Sequence, residues 1–510
     1  MIALRRHPVL WFGLCAGGFA LAGAAIALVS STQRAVLWLT LAQTFGVVWL
    51  GALGYRSRNW GSASFITAAA WVLLFLAPCW IYVARPDMLQ AAKSAVPAIS
   101  LLDLSVFAMV GGGLVYRWRA TTPMPPGRLS VESSVAPSRR ALAGFALLGL
   151  LCLGVLMAKN GGPVAYISNQ YNSGSVNSGL LYFIWGVLFL RYAPLAAVAT
   201  RWANGLKAGW LLLAYLMLGS VVVAVMGARA FLASAAVDVV LVAHLIRRPL
   251  RLRWIALPAV VVTLVVVFGL GAIKNYTAYN AAHRGHKLGL ATYLTGVAPS
   301  QAFNDYVYNY ADGVNVIALT RRVVPARADY EYGRSLLDLL LRPIPSAYRP
   351  KVWQAPVIRN SLNPGGGYTL AVPLQASVYL EFGVPGVLVV FLGLGALLAA
   401  LDRRLATREC VSLPYALTVI ALAVQIPVLL RAGIPGGVVL LLLDVAGVWI
   451  STRFVTGRAP LAGRVAGWIQ RAKHLRRIAT RDDVGGEGVT DHTSGAHDRV
   501  LADAHSLEHD

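Results

Sequence analysis

The chain has 510 residues, of which 57% are hydrophobic and 13% charged, with a mean hydropathy of +0.63. A soluble domain carries about 25% charged residues, so a water-soluble globular protein is excluded: this much apolar surface needs lipid as its solvent. The 45 Lys and Arg exceed the 21 Asp and Glu by 24 charges, but they fall between apolar runs, which reads as membrane topology and not as a surface for nucleic acid. Cys15, Cys79 and Cys152 lie inside apolar runs, which excludes a disulfide framework and leaves no metal-ligand spacing.

In chain order, apolar runs long enough to cross about 30 Å of hydrocarbon fall near 8–30, 35–55, 62–84, 97–116, 141–158, 178–199, 208–227, 230–246, 254–273, 374–401, 412–430 and 434–452. The first follows Arg5-Arg6 but is too long for a signal-peptide core, and it is read as a span. The pattern predicts an all-α polytopic membrane protein with about 12 transmembrane helices and one large extracytoplasmic, mainly helical loop. The predicted segments are a bundle of about nine spans over 1–273, the loop 274–372, and three spans over 373–452. Next comes a basic amphipathic interfacial helix over 453–481. It carries Leu461, Val465, Trp468, Ile469, Ala472 and Leu475 on one stripe, opposite Arg464, Arg471, Lys473, Arg476 and Arg477. The remainder, 482–510, reads as a disordered cytoplasmic tail whose His and Asp residues suit a solvated segment better than a metal site.

Charge tests the segmentation. With the N-terminus inside, the short inner segments hold 18 basic residues: Arg5, Arg6, Arg56, Arg58, Arg117, Arg119, Arg128, Arg139, Arg140, Arg201, Lys207, Arg247, Arg248, Arg251, Arg253, Arg403, Arg404 and Arg408. The short outer segments hold six: Arg34, Arg85, Lys93, Lys159, Arg229 and Arg431. An asymmetry that alternates loop by loop predicts both termini in the cytoplasm.

Ionisable residues within spans cost about 2.5–3.5 kcal/mol or more at the bilayer centre and are functional candidates by default. They are Asp103, Arg191, Arg229, Asp238, Glu381, Arg431 and Asp444. Arg229, Arg431 and Glu381 converge on the outer side, with Glu381 expected at the mouth of the tenth span. Asp238 is expected to pair with a neighbouring helix, Asp103 and Asp444 to satisfy hydrogen bonds in the bundle, and Arg191 to snorkel to the inner headgroups. Gly383, Pro385 and Gly386 should kink the helix that carries Glu381.

Within the outer loop, helices are expected over Ser300 to Arg322 and Ser335 to Arg342, the second stopped by Pro343. Its many tyrosines, Tyr332 among them, suit either stacking on sugar rings or anchoring at headgroup depth. Prolines fix Arg342, Arg349 and Lys351 ahead of the flexible Gly365-Gly366-Gly367. The loop has no Gly-Lys-Ser/Thr ending of a P-loop and no Asp-x-Asp or His/Glu cluster with metal-ligand spacing.

Four features in order carry a resemblance: Gly227-Ala228-Arg229, Tyr332-Gly333-Arg334-Ser335-Leu336, Ile344-Pro345 with Pro350-Lys351, and Glu381-Phe382-Gly383-Val384-Pro385-Gly386. Over roughly residues 215–400 the chain resembles the O-antigen polymerase family of bacterial surface polysaccharide assembly. It departs from that family's pattern at Ser346, where an Arg usually follows Ile-Pro, and at the late Trp353.

The resemblance implies a metal-independent glycosyltransferase of the inner (cytoplasmic) membrane with no cofactor. It would join undecaprenyl-diphosphate-linked oligosaccharide repeat units on the outer face and release undecaprenyl diphosphate. Partners would be that lipid-linked substrate, membrane lipid, and a chain-length regulator and flippase of the same pathway. With no metal cluster, arginines must fork onto the diphosphate. Arg229 is the first candidate, with Arg342, Arg349, Lys351, Arg431, Arg334 and Tyr332 as further diphosphate or sugar contacts. Glu381 is the candidate general base for the acceptor hydroxyl. A ligase moving glycan from the same carrier to another acceptor, and a flippase or transporter of lipid-linked sugars, are the alternatives. A transporter should show repeat symmetry and mid-membrane charge instead.

Overall fold

The computed structural model describes residues 32–55, 61–84, 92–119, 130–131, 136–162, 181–225, 229–247, 249–251, 289, 292–297, 312–326, 329–341, 372–406 and 410–456. All of them belong to one unit, Met1–Gly457. The expected spans at 8–30 and 254–273, most of the loop 274–372, nearly all of the interfacial helix 453–481 and the tail 482–510 lie outside the described residues.

Among the described residues the fold is nearly all helical, with a two-residue parallel bridge between β1 (Ser130–Val131) and β2 (Cys410–Val411). Among the described residues, eight helices are long and apolar enough to cross a membrane. They are α1 (Thr32–Tyr55), α2 (Ala63–Ala84), α3 (Ala92–Arg119), α4 (Arg139–Lys159), α5 (Leu181–Ala203), α10 (Leu374–Ala406), α11 (Leu413–Ala432) and α12 (Val438–Val455). Two apolar helices at expected spans are shorter: α6 (Trp210–Val225) and α7 (Arg229–Val242), the latter extended by a π turn at Ala243–Arg247. From the loop come α8 (Asp312–Val323) and α9 (Arg334–Leu341).

Prolines shape several helices. Pro78 has no N–H for the preceding turn, and α2 passes through a π turn at Val72–Leu76, where Ala77 donates to the Val72 carbonyl. Where α3 crosses α10 the backbones nearly touch. A Cβ on Gly112 would strike the Leu392 carbonyl, and one on Gly395 the Met109 carbonyl. Lipid supplies no hydrophobic drive between helices, so small residues that permit such contact, together with polar ties, hold the bundle.

Those ties sort the helix ends. At one end, Arg117 donates to the Leu53 carbonyl (2.8 Å) and to Asp402 (3.0 Å). Asp402 also accepts from the Ser64 N–H (3.1 Å) and hydroxyl (2.6 Å). The β1–β2 bridge joins the segments that follow α3 and α10. Ser138, ahead of α4, donates to the Val455 carbonyl at the end of α12 (2.9 Å), and Arg247 lies over Trp202 (5.7 Å). Each of these contacts links segments that charge counting assigns to one side. The opposite ends of α3, α10 and α11 meet the loop-derived residues.

Candidate functional site

The site is built where α10 breaks. Gly383 has φ 66° and ψ −158°, left-handed backbone that glycine adopts without steric cost; a Cβ there would also press on the Tyr330 ring at 3.1 Å. Two residues later comes Pro385, which has no N–H to return to the Glu381 carbonyl. The break therefore leaves carbonyls at Leu380 and Glu381 in need of donors.

The segment ahead of α9 supplies them. Glu331 N–H donates to the Leu380 carbonyl (3.0 Å) and Tyr332 N–H to the Glu381 carbonyl (3.1 Å). Gly333 N–H donates to Glu381 Oε2 (2.5 Å). Tyr332 and Gly333 both have positive φ, 47° and 91°, turning the chain so that three successive N–H groups face α10. Arg334 then opens α9. The expected kink in α10 is present, and it is the seat on which the Tyr-Gly-Arg segment docks.

Aromatic rings surround the dock. Tyr330 meets Tyr332 (6.1 Å, 70°) and Tyr379 (6.0 Å, 73°). Tyr379 donates to the Val324 carbonyl (3.3 Å). The Arg321 guanidinium lies 5.4 Å from the Tyr379 ring centre and donates to the Pro97 carbonyl (2.6 Å), tying α8 to α3. Desolvation, then the neighbouring Tyr379, pushes the Tyr330 phenol above its ordinary pKa. Tyr332 is 74% exposed, with Phe382 half-exposed beside Gly333. On the next turn of α10, Ser377 Oγ accepts from Ile434 N–H (3.3 Å), which brings the α11–α12 hairpin, and the α11 end that bears Arg431, to the same region.

The structure thus gathers Glu381, Tyr332, Arg334 and the helix end of Arg431. Arg229 is the first residue of α7, and its side chain lies outside the described residues, as do Arg342, Arg349 and Lys351. Glu381 lies two turns into α10, which begins at Leu374, and is fully buried just before the break. Other expectations need correction. Arg191 does not snorkel; it is 1% exposed and paired with Asp238 on α7, so Asp238 does pair with a neighbouring helix. Asp103 and Asp444 are buried, but among the described residues neither has a hydrogen-bond partner for either oxygen. Of the loop helix expected over Ser300 to Arg322, Asp312–Val323 is helical and residues 300–311 lie outside the described residues.

Sequence reading missed Arg321 and Asp402. The apolar face of α8 was legible, but not that its basic end would reach back to α3. Asp402 sits directly before Arg403-Arg404, so it passed for part of a solvated inner segment.

Compared with known family models, curated proteins and solved structures, the chain matches none.

Proposed function

We propose that this is a metal-independent glycosyltransferase of the cytoplasmic membrane. It would polymerise undecaprenyl-diphosphate-linked oligosaccharide repeat units on the outer face and release undecaprenyl diphosphate. In this reading the chain crosses the membrane about 12 times, with both termini in the cytoplasm and 274–372 outside. No cofactor is needed, and a flippase and a chain-length regulator act in the same pathway.

One observation supports the reading above others: two motif segments 48 residues apart in sequence, around Gly333 and Glu381, meet through three hydrogen bonds. The meeting point combines what the chemistry asks for. Glu381 is a buried carboxylate, exposed Tyr332 can stack on a sugar, and Arg334 is exposed. Glu381 would take the proton of the acceptor sugar hydroxyl as it attacks the anomeric carbon of the donor chain. Arg229, with Arg431, Arg342, Arg349 and Lys351, would bind the diphosphate leaving group, where an arginine fork matches phosphate oxygens better than a lysine point charge. Apolar α4, with Leu147, Leu148, Leu150 and Leu151 exposed, offers lipid-facing surface of the kind a polyprenyl tail requires.

The test is the glycan made when the gene is deleted. Surface lipid capped with a single repeat unit is the expected result. Complete polymer left on its carrier would indicate a ligase instead, and repeat units trapped on the inner face a flippase.

A further inference from the structure

Away from that site, Arg191 on α5, Asp238 on α7 and Asp444 on α12 are 1%, 3% and 1% exposed. Arg191 uses Nη2 to hold Asp238, while its Nε and Nη1 are buried with no hydrogen-bond partner among the described residues. Asp444 lies one turn before Gly447, whose added Cβ would meet the Tyr192 ring beside Arg191 at 2.7 Å, and both of its oxygens lack a hydrogen-bond partner among the described residues. The same neighbourhood holds the Tyr192 hydroxyl, also buried and with no hydrogen-bond partner among the described residues. Trp185 of α5 donates to the Leu443 carbonyl (3.1 Å), fixing α5 against α12 beside Asp444.

The charges do not balance: one guanidinium faces two carboxylates. Among the described residues, the other elements packed on α12 offer no second cation at this level. On α11 the titratable residues are Tyr415 and Arg431, near its two ends. On α4 they are Arg139, Arg140, Cys152 and Lys159, the charged ones at its ends. The 433–437 turn has none; α5 adds Tyr182 and Arg201 towards its ends, α7 has Arg229 at its start and His244 and Arg247 in its π extension, α6 has Tyr215, and α12 itself adds only Arg453 in its last turn. An ionised carboxylate without a partner in such a medium is so costly that the group takes a proton instead.

We propose that Arg191, Asp238 and Asp444 form an intramembrane proton-binding site in which two carboxylates share one arginine and one exchangeable proton. In the arrangement seen, the proton is on Asp444 and Arg191 bonds Asp238. Transfer of that proton to water would leave Asp444 ionised, with the spare Nε and Nη1 of Arg191 as its natural partners. Arg191 would then tie α5 to α12 as well as, or in place of, α7, the helix that begins at Arg229. Proton occupancy and helix pairing are thereby linked, independently of the reading proposed for the Glu381 site.

Infrared spectroscopy of the purified full-length protein in detergent tests this through the carbonyl stretch of a protonated carboxylic acid. At neutral pH, wild type minus Asp444→Asn should show one acid band, because Asn removes the proton carrier and keeps shape. Asp238→Asn should lose the same band, since Arg191 is freed to ionise Asp444. Arg191→Met should gain a second, with both carboxylates protonated. No acid band in the wild type minus Asp444→Asn difference, at neutral pH in sodium-free buffer, would overturn the proposal. So would a band that vanishes on adding sodium at constant pH, because the site would then bind a metal cation. If Asp238→Asn or Arg191→Met fails to fold, the Asp444→Asn difference alone decides.

Discussion

Replacing Glu381 by glutamine separates the two roles its position allows. The carboxylate accepts a 2.5 Å bond from Gly333 N–H of the turn, beside two backbone bonds that a side-chain change leaves intact. Glutamine keeps an acceptor oxygen of the same reach. A hydrogen bond to a charged group contributes about 1.5–3 kcal/mol and a neutral one about 0.5–1.5, so as a clamp the exchange costs about 1 kcal/mol of local stability. A general base contributes about 10²–10⁴-fold in rate, or about 2.7–5.5 kcal/mol of barrier. The second effect is several times the first. With purified protein and a lipid-linked repeat unit, release of undecaprenyl diphosphate should therefore fall by at least about 10²-fold in Glu381→Gln, with thermal unfolding little changed. Glu381→Ala should lose both activity and stability. Polymer formation by Glu381→Gln within a few-fold of wild type would refute the base assignment and leave Glu381 as the clamp of the turn.

Four further outcomes follow from the same physics. Gly383→Ala forces a Cβ into left-handed backbone and onto the Tyr330 ring; it should destabilise by about 1–3 kcal/mol, read as a lower midpoint of thermal unfolding in detergent. Asp402→Ala strips Arg117 and Ser64 of their shared acceptor and should cost about 3–5 kcal/mol, with Asp402→Asn costing less because the Ser64 bonds can survive; equal losses would refute the charge argument. Arg229→Lys should keep protein levels and sharply shorten polymer chains, and wild-type chain lengths would remove Arg229 from phosphate binding. A reporter fused at Gly313 should show activity of the outer compartment, whereas cytoplasmic activity would reverse the topology.

How far the sequence could be read depends on the range of the interactions involved. Spans were legible because twenty apolar residues in a row are a local property, and eight of the expected runs appear as helices within a few residues of their expected ends. The break in α10 was legible for the same reason, as Gly383, Pro385 and Gly386 act on their own backbone. The partners were not legible. Nothing in the residues around 381 says that the two carbonyls freed by the break are met by N–H groups some fifty residues earlier. Arg191 looked free to snorkel because its position in its own helix allows that, and only the packing of α7 on α5 brings Asp238 to it.

The polar ties at the bundle end join segments that the charge count would place on one side of the membrane. Arg117 was counted as an inner charge, yet it is half-buried and bonded to α1, through the Leu53 carbonyl, and to Asp402 of α10. Asp402 in turn closes the first turn of α2 through Ser64. Four helix ends thus depend on one ion pair, and they can meet only if all four lie on the same side of the bilayer. An even number of crossings must separate the end of α1 from the ends of α3 and α10, as the alternating charges require. A basic residue that the charge count reads as setting orientation is, in the closed bundle, a donor that ties its helices together. Arg117→Gln should accordingly loosen the packing of α1, α2, α3 and α10 with little effect on topology. Cysteine cross-linking between Leu53 and Ser64 positions, compared with reporter fusions, would distinguish the two effects, and an inverted topology in that variant would contradict this account.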